Sequence, residues 1–574
     1  MFNPGQNDNS PNTYKMNKIQ FLTLSLFLCA CQKQEKQAEK PVASRPNIIF
    51  ILADDYGIMD SQAYAQKFTG TDTAKMFYET PNIDRLISEG TAFSQAYANQ
   101  LCSPTRASLL TGKYAGRLGF TTAMPPRATY YNQELAVPEG QYVHDVLEHK
   151  DNILIEQALI NGISNSAIPT GADLDKGWDE LSIAEALEDY HSAFIGKWHI
   201  GGFGAKGYQP EDQGFEPLAW YDAGGSAYFN WKDRWNDTTN KTFPKLAPEK
   251  LDIGDAGNPS AEEYLTDDLT TQALNFLEQR AKTKEQPFFL YFSHFAIHSP
   301  YQGIAGEIIY FEGKDTKGWN GHKDPTYASM IKGLDRSVGK ILDKLSSLGL
   351  EENTLVVFMS DNGGIDASIT PRGDGTSNSP FLGGKACLTE GGIRVPLVFR
   401  WKGNVPSGQW VDLPIDCTDI YPTLLQAGGY DAKQIISAND LDGESLMGLL
   451  SDSKNEKKSY TKTSHYWHYP FNVIYNSPYE PYPLTPHSAI RKGDFKLIFD
   501  WYGRLRLYDI ENDPFEKNDL SKSSPEQTKE LFTKLKGWIK ENIDKRYWPT
   551  LNPSYNADNE VRDEEFKVLF DDLL

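Results

Sequence analysis

Cysteine is scarce. The 574 residues contain five, at Cys29, Cys31, Cys102, Cys387 and Cys417. Two fall in the N-terminal leader, and three in a body of this size make no disulfide framework. A single Cys387–Cys417 bridge is the one pairing left open. No cysteine pair beyond Cys29 and Cys31 has metal-type spacing, and the leader accounts for that pair better. Positive charge is also short: 57 Lys and Arg stand against 78 Asp and Glu, for a formal charge of −21. That balance excludes a general nucleic-acid binder, which needs a basic footprint. A polyanionic ligand would have to be held by local cations against an unfavourable overall field. The apolar run Ile19–Ala30 (IQFLTLSLFLCA) falls short of the ~20 residues of a membrane-spanning helix. Core-forming residues are not lacking. At 39% hydrophobic and 12% aromatic, the chain is not wholly disordered. Its length gives a prior of about four domains, although large α/β enzymes often hold 200–250 residues or more in one.

Met16-Asn17-Lys18 and the apolar run after it have the order of a signal peptide, and Met16 competes with Met1 as the start. Leu28-Cys29-Ala30-Cys31 resembles a bacterial lipobox, which makes Cys31 the lipidated residue after cleavage. The polar tract Gln32–Arg45 then reads as a tether. The expected division is 1–31 lipoprotein signal peptide, 32–45 tether, 46–459 catalytic domain and 460–574 C-terminal subdomain. The expected location is the bacterial cell envelope, with the membrane engaged through the lipid anchor only.

Four apolar runs end in polar residues. Pro46–Ala53 (PNIIFILA) stops at Asp54-Asp55, and Thr354–Met359 (TLVVFM) at Ser360-Asp361-Asn362. Pro287–Phe292 (PFFLYF) leads to His294 and His298, and Ser192–Ile195 to Gly196-Lys197-Trp198-His199. Such runs suit strands buried on both faces of a parallel sheet. Ligands gather at the carboxyl ends of those strands, so one shared site is the economical reading. Helices alternate with the strands: Tyr327–Leu348 carries one apolar stripe from Ile331 to Leu348, and Leu181–Tyr190 reads as a short helix. The predicted fold class is therefore α/β, a mostly parallel sheet between helices. Past residue 460 the pattern changes to a smaller α+β domain, an antiparallel sheet plus a helix. A hairpin is predicted from Phe495–Trp501 and Leu505–Ile510, turning at Tyr502-Gly503. A helix follows, with Ser524 as its cap, Pro525 in its first turn and Gln527 at the capping-box position.

Asp54, Asp55, Asp361 and Asn362 offer oxygen ligands only, the preference of Ca²⁺ or Mg²⁺ rather than zinc. Each pair alone could cap a helix or solvate a loop; two at strand ends favour a metal. Cys102 opens Cys-Ser-Pro-Thr-Arg. Alone it could be a buried small hydrophobe, but a helix start and Arg106 nearby favour an anion there, a reactive thiolate being one outcome.

Cys102-Ser103-Pro104-Thr105-Arg106, followed by Ala-Ser-Leu-Leu-Thr-Gly, resembles the Cys-x-Pro-x-Arg signature of the type I sulfatases. The same order of motifs continues with Asp54-Asp55, Gly196-Lys197-Trp198-His199, His298-Ser-Pro300, Asp361-Asn362-Gly363, Gly383-Gly384-Lys385 and Glu390–Pro396 (EGGIRVP). Leu507–Pro514 (LYDIENDP) is similar to the family's C-terminal hairpin, and the likeness spans roughly residues 46–545. It implies the alkaline-phosphatase-like fold. It implies that Cys102 is oxidised to formylglycine by a formylglycine-generating enzyme. Ca²⁺, ahead of Mg²⁺, would be held by Asp54, Asp55, Asp361, Asn362 and residue 102. Carried over, the hydrated aldehyde attacks sulfur while the metal neutralises sulfate oxygens. Arg106 holds the hydrate, Lys197 touches hydrate and sulfate, and Lys385 binds sulfate. Lys385 or His298 protonates the leaving oxygen, and His199 is the candidate base. His294 is expected to be structural.

Substrate contacts are read from composition. Tyr130–Trp178 is long and polar and is expected to form a rim. His465-Tyr466-Trp467-His468 is dense in rings that suit sugars, against a core strand as the plain alternative, and Arg372 could reach a second acidic group. The expected function is a sulfuric ester hydrolase of a sulfated polysaccharide or its oligosaccharides, algal by preference and ulvan first. Two alternatives stay open. One is a phosphomonoester or phosphonate ester hydrolase of the same superfamily; the other is an inactive glycan-binding lipoprotein with unconverted Cys102.

Overall fold

Burial from both sides explains why the apolar runs are continuous. The computed structural model describes residues 45–123, 154–155, 180–200, 209–231, 264–283, 285–368, 373, 375–451, 460–470, 478, 486–501 and 504–551. The strands of the main sheet are β1 (Asn47–Ala53), β2 (Thr91–Tyr97), β4 (His191–Lys197), β5 (Glu216–Tyr221), β6 (Phe288–Ser293), β7 (Thr354–Ser360), β8 (Arg394–Arg400), β9 (Gln409–Val411) and β10 (Ile415–Asp416), with the short β3 (Leu154–Ile155) paired elsewhere. Their order is β10-β2-β8-β7-β1-β6-β4-β5, with β9 also on β2. All pairings are parallel except the two that β8 makes, with β2 and β7.

In β1, Ile49 and Ile51 face one core and Ile48, Phe50 and Leu52 the other. The first core is roofed by the helices Leu265–Arg280 and Pro325–Ser347, the second by Cys102–Thr111 and Ile420–Ala427. The period-2 geometry of a strand makes both sets of side chains apolar. The helix Pro325–Ser347 starts where Asp324 accepts from the amides of Thr326 and Tyr327. Its predicted stripe is buried from Ile331 to Leu345. The helix expected at Leu181–Tyr190 covers only Ile183–Ala186, with Ser182 and Glu185 forming a capping box. Leu187 leaves the helical region, and Tyr190 turns inward to donate to the Pro46 carbonyl (2.8 Å).

The second sheet is β11 (Ser464–Tyr469), β12 (His487–Lys492), β13 (Phe495–Asp500) and β14 (Arg504–Asp509), all antiparallel in sequence order. The helix Pro525–Asn542 packs on it through Leu531, Leu535, Trp538 and Ile539. Ser524 stands at the N-cap without a side-chain capping bond, which corrects the expected capping box. Thr528 Oγ1 instead donates to the carbonyls of Ser521 and Ser524. The pair β15 (Thr550–Leu551) and β3 is antiparallel. Trp467 Nε1 donates to the Ala98 carbonyl (2.9 Å), and Lys496 reaches Glu390 (2.9 Å), so the second sheet shares buried polar contacts with the first. Cys387 and Cys417 are buried free thiols, so the bridge left open by the sequence is absent. Among the described residues no helix is long and apolar enough to cross a membrane.

Candidate active site

The four strands that end in chemistry lie side by side, in the order β4-β6-β1-β7. Parallel pairing puts their carboxyl ends on one edge, so residues about 300 positions apart become neighbours. The amide of Asp55 donates to Asp361 Oδ1 (3.1 Å), and Asn362 Nδ2 to Asp55 Oδ1 (2.8 Å). Cys102 is the first residue of its helix and fully enclosed. Ligand atoms of Asp54, Cys102 and Asp361 all lie within 4.8 Å of one another.

Cations are built into the same cluster. Lys197 Nζ is 2.7 Å from Asp54 Oδ2, with both side chains at 0% exposure. Lys385 Nζ reaches both oxygens of Asp55, at 2.7 and 2.9 Å. Arg106 donates to Asp361 Oδ2 from Nε (3.1 Å) and Nη2 (2.7 Å), to the Lys197 carbonyl (2.7 Å) and to Ser293 Oγ. These bonds tie the ends of β7, β4 and β6 together, so Arg106 orients the carboxylate of Asp361. Such a buried network is costly to break, because removing one partner strands a charge.

Burial pushes the Asp54 carboxyl well up, against the pull of Lys197. Burial opposes ionisation of Asp55 too, but Lys385, His298 and Lys197 hold it below the usual carboxylate range. The Cys102 thiol is raised by burial, partly offset by Lys197 and Lys385. His199 Nδ1 is 3.2 Å from Cys102 Sγ and 3.1 Å from Ser103 Oγ, and Ser103 Oγ donates to the His199 carbonyl (2.8 Å). His298 Nε2 stands 3.7 Å from Asp55 Oδ2, and its Nδ1 donates to the Ser299 carbonyl (2.6 Å). Burial, then Lys385, lower His298 to about 3, so its imidazole is neutral in the free site.

Backbone geometry is specialised here. Asp55 (φ 60°) and His199 (φ 58°) are non-glycine residues in the left-handed region, a strain of about 1–3 kcal/mol each that the surroundings hold in place. Gly196 (φ 100°) has no room for a side chain: a Cβ would lie 1.7 Å from the Ser293 carbonyl oxygen.

Within this cluster two buried oxygens have no hydrogen-bond partner among the described residues: Asp54 Oδ1 and Asn362 Oδ1. Unsatisfied buried acceptors are costly. Two of them among carboxylates, with no soft ligand but residue 102, fit a hard divalent cation.

The structure thus brings together Asp54, Asp55, Cys102, Arg106, Lys197, His199, His298, Asp361, Asn362 and Lys385. It does not bring in His465 or His468, which corrects their expected substrate role. His465 is enclosed with Nδ1 2.8 Å from Asp416. His468 is bonded to Ser488 and the Tyr547 carbonyl. The two rings leave β11 on opposite faces, His465 toward Asp416 at the end of β10 and His468 toward Trp501 and the Tyr547 carbonyl, and an enclosed ring cannot meet a sugar. Arg372, Cys31 and the Tyr130–Trp178 rim, except for the backbone of β3, lie outside the described residues, as does the Tyr502-Gly503 turn. His294 is a core residue whose Nε2 is 3.2 Å from Ser337 Oγ, and burial lowers it to about 3. Sequence reasoning missed Ser293 and Ser103. Ser293 ends an apolar strand with a hydroxyl, a visible break in the run, whereas nothing local marks Ser103.

Comparison with known proteins agrees with this geometry. The family model described as Sulfatase matches residues 46–430, and that described as N-sulphoglucosamine sulphohydrolase, C-terminal, matches residues 383–545. A Formosa agariphila protein named Sulfatase is 28% identical over 93% of this chain and 96% of its own length. The N-acetylgalactosamine-6-sulfatase of Mus musculus is 31% identical over 71% of this chain and 67% of its own. The crystal structure of Ps i-CgsB is similar with a TM-score of 0.64 at 28% identity, covering 88% of this chain and 95% of that one, and it is also solved in complex with k-i-k-neocarrahexaose.

Proposed function

Because the chain belongs to the sulfatase family and is a sulfuric ester hydrolase of sulfated glycans, we propose that its substrate is an external, galactose-type algal glycan. It uses Ca²⁺ and a formylglycine made from Cys102 by a maturation enzyme. The observation that carries this is the convergence of Asp54, Cys102 and Asp361 within 4.8 Å, beside two unpartnered oxygens. The neighbour solved with k-i-k-neocarrahexaose and the N-acetylgalactosamine-6-sulfatases favour a galacto-configured sugar, so carrageenan oligosaccharides come ahead of ulvan.

Asp54, Asp55, Asp361, Asn362 and residue 102 would hold the ion. When present, calcium neutralises the ester oxygens and the hydrated aldehyde supplies the attacking oxygen. Arg106 fixes Asp361 for that task, and Lys197 does the same for Asp54. Lys385, at the Asp55 end of the cluster, binds the sulfate. A sugar alkoxide is a poor leaving group and needs a proton. Lys385 carries it in the free site, because His298 is neutral there; an arriving anionic ester favours the imidazolium and lets His298 share the role. His199, within hydrogen-bond reach of residue 102, takes the proton that frees sulfate at the end of the cycle.

Lipidation at Cys31 and an envelope location belong to the same proposal. They keep the enzyme where large glycans arrive.

The test is inorganic sulfate release from a panel of carrageenan, ulvan, fucoidan and glycosaminoglycan oligosaccharides, with aryl sulfate and aryl phosphate as controls. Release from carrageenan is expected. Activity on aryl sulfate alone would overturn the glycan assignment. Faster cleavage of phosphate than sulfate, with one leaving group, would replace it by a phosphoester hydrolase. Mass spectrometry of the Cys102 peptide from protein made with the maturation enzyme is expected to show the aldehyde; an intact thiol would favour a binding protein.

A further inference from the structure

The segment after β5 contains two adjacent glycines, Gly224 and Gly225, which no motif in the sequence singles out. Neither adopts the left-handed backbone that would demand glycine. What each lacks is room. A Cβ on Gly224 would lie 3.1 Å from both Cε1 and Nε2 of His199. A Cβ on Gly225 would lie 2.8 Å from His298 Nδ1, 3.0 Å from its Cε1 and 2.8 Å from the Ser299 carbonyl oxygen. Carbon contacts are comfortable only at about 3.5–4.0 Å. Two consecutive bare Cα atoms therefore pack against the two imidazoles of the site, one each.

The imidazoles have little freedom to retreat. The His298 carbonyl accepts from Tyr228 Oη (2.9 Å), which also donates to the Phe295 carbonyl (2.7 Å). His298 Nδ1 is engaged by Ser299, at the point where a Gly225 side chain would intrude. The His199 carbonyl is held by Ser103 Oγ, and its ring contacts Cys102 and Ser103. A methyl on Gly224 meets only the His199 ring, and one on Gly225 meets the His298 ring together with the Ser299 carbonyl oxygen.

We infer that Gly224 and Gly225 are positioning residues for the reaction: Gly224 sets the His199 ring against residue 102, and Gly225 sets the His298 ring beside Asp55. This rests on the roles given above to the two histidines. The 3.1 Å contact at Gly224 asks the His199 ring to give by a few tenths of an ångström and the 2.8 Å contact at Gly225 asks more of His298; a displacement of about 1 Å costs on the order of 10²-fold in rate. The two glycines serve different proton transfers, so their loss reads out differently. Gly225 matters where the leaving oxygen needs a proton, Gly224 for every ester.

The experiment compares Gly224→Ala and Gly225→Ala with the wild type on two substrates, a sulfated carrageenan oligosaccharide and 4-nitrophenyl sulfate, whose phenolate leaves without a proton. Gly225→Ala is expected to lose about 10²-fold in kcat on the sugar ester and only a few-fold on the aryl ester. Gly224→Ala is expected to lose comparably on both. Crystal structures of both variants with Cys102 unconverted are expected to show the facing imidazole displaced, with unchanged melting temperatures. Wild-type rates on the sugar ester in either variant, or unmoved rings, would overturn the inference. If Gly225→Ala does not fold, the double variant with His298→Ala decides. Recovery of folding shows that the imidazole was the obstacle; continued failure shows that the Ser299 carbonyl was, and overturns the inference for Gly225. A wild type silent on every sulfate ester would sink the proposed function instead, while ring displacement in the unconverted protein would still decide the positioning claim.

Discussion

Among the described residues two buried acidic clusters have the composition of a metal site, and they differ in how their carboxylate oxygens are filled. At the ends of β1 and β7, Asp54, Asp55, Asp361 and Asn362 meet Cys102; at the end of β10, Asp416 and Asp419 meet His465. In the second cluster every carboxylate oxygen is satisfied by protein. Asp416 Oδ1 accepts from Thr418, and its Oδ2 from His465, Tyr114 and Lys462. Asp419 Oδ1 accepts from Lys462 and the Glu444 amide, and its Oδ2 from Tyr460 and the Asp416 amide. In the first cluster the lysines leave Asp54 Oδ1 and Asn362 Oδ1 without a partner. Nearness of carboxylates thus does not by itself identify a cation site; the first cluster differs by an unfilled carboxylate oxygen, whereas the unpartnered atom of the second is His465 Nε2. Lys462 occupies the position an ion would need.

The contrast can be broken by experiment. Cys102→Ala should lower turnover by at least about 10³-fold while leaving the melting temperature unchanged. Unfolding instead would make Cys102 a structural residue and remove the difference between the clusters. Lys462→Met should cost about 3–5 kcal/mol of stability, because Asp416 and Asp419 lose a buried counter-charge. Bound calcium should stay at about one ion per chain, as in the wild type. Urea unfolding and elemental analysis check both statements, and a second ion in the wild type would refute the comparison. The smallest effect concerns Asp60, the last residue of the short 3₁₀ helix Ile58–Asp60 after Asp55. Its neighbours are neutral donors, and burial, opposed by bonds from Thr376, Gly57 and Tyr327, pushes it up to about 7. The folded state therefore holds a proton that the unfolded chain releases near pH 4. Stability falls as pH rises through that window and stays lowered above about 7. Asp60→Asn should raise the melting temperature at pH 8 and leave it unchanged at pH 4. Asp416 has the opposite limb: burial opposes its charge, but Lys462 and His465 hold its carboxyl below the usual range, so its contribution is lost in acid.

Most of the main sheet was legible because strands buried on both faces leave continuous apolar runs, and each run stopped at or shortly before residues that gather at the candidate site. β1 and β7 begin and end within a residue of the predicted runs. The short helix near Leu181 was overextended, since its C-terminal turn is set by Tyr190 reaching Pro46, a contact 144 positions away. The aromatic and imidazole segment of β11 was misread for a related reason. A ring-rich strand has the same composition whether it faces sugar or core, and here it closes over Trp538 and Trp501.

Residue types, their spacing and the family resemblance they carry were enough to name the groups that meet at the strand ends, because acids, lysines, histidines and Cys102 bring functional groups that the covalent chain already fixes. Which oxygen stays unfilled, which lysine guards which carboxylate, and which ring rests on a bare glycine were decided only in three dimensions. Those properties belong to pairs of atoms from distant strands, and no pair exists until the sheet brings its strand ends to one edge.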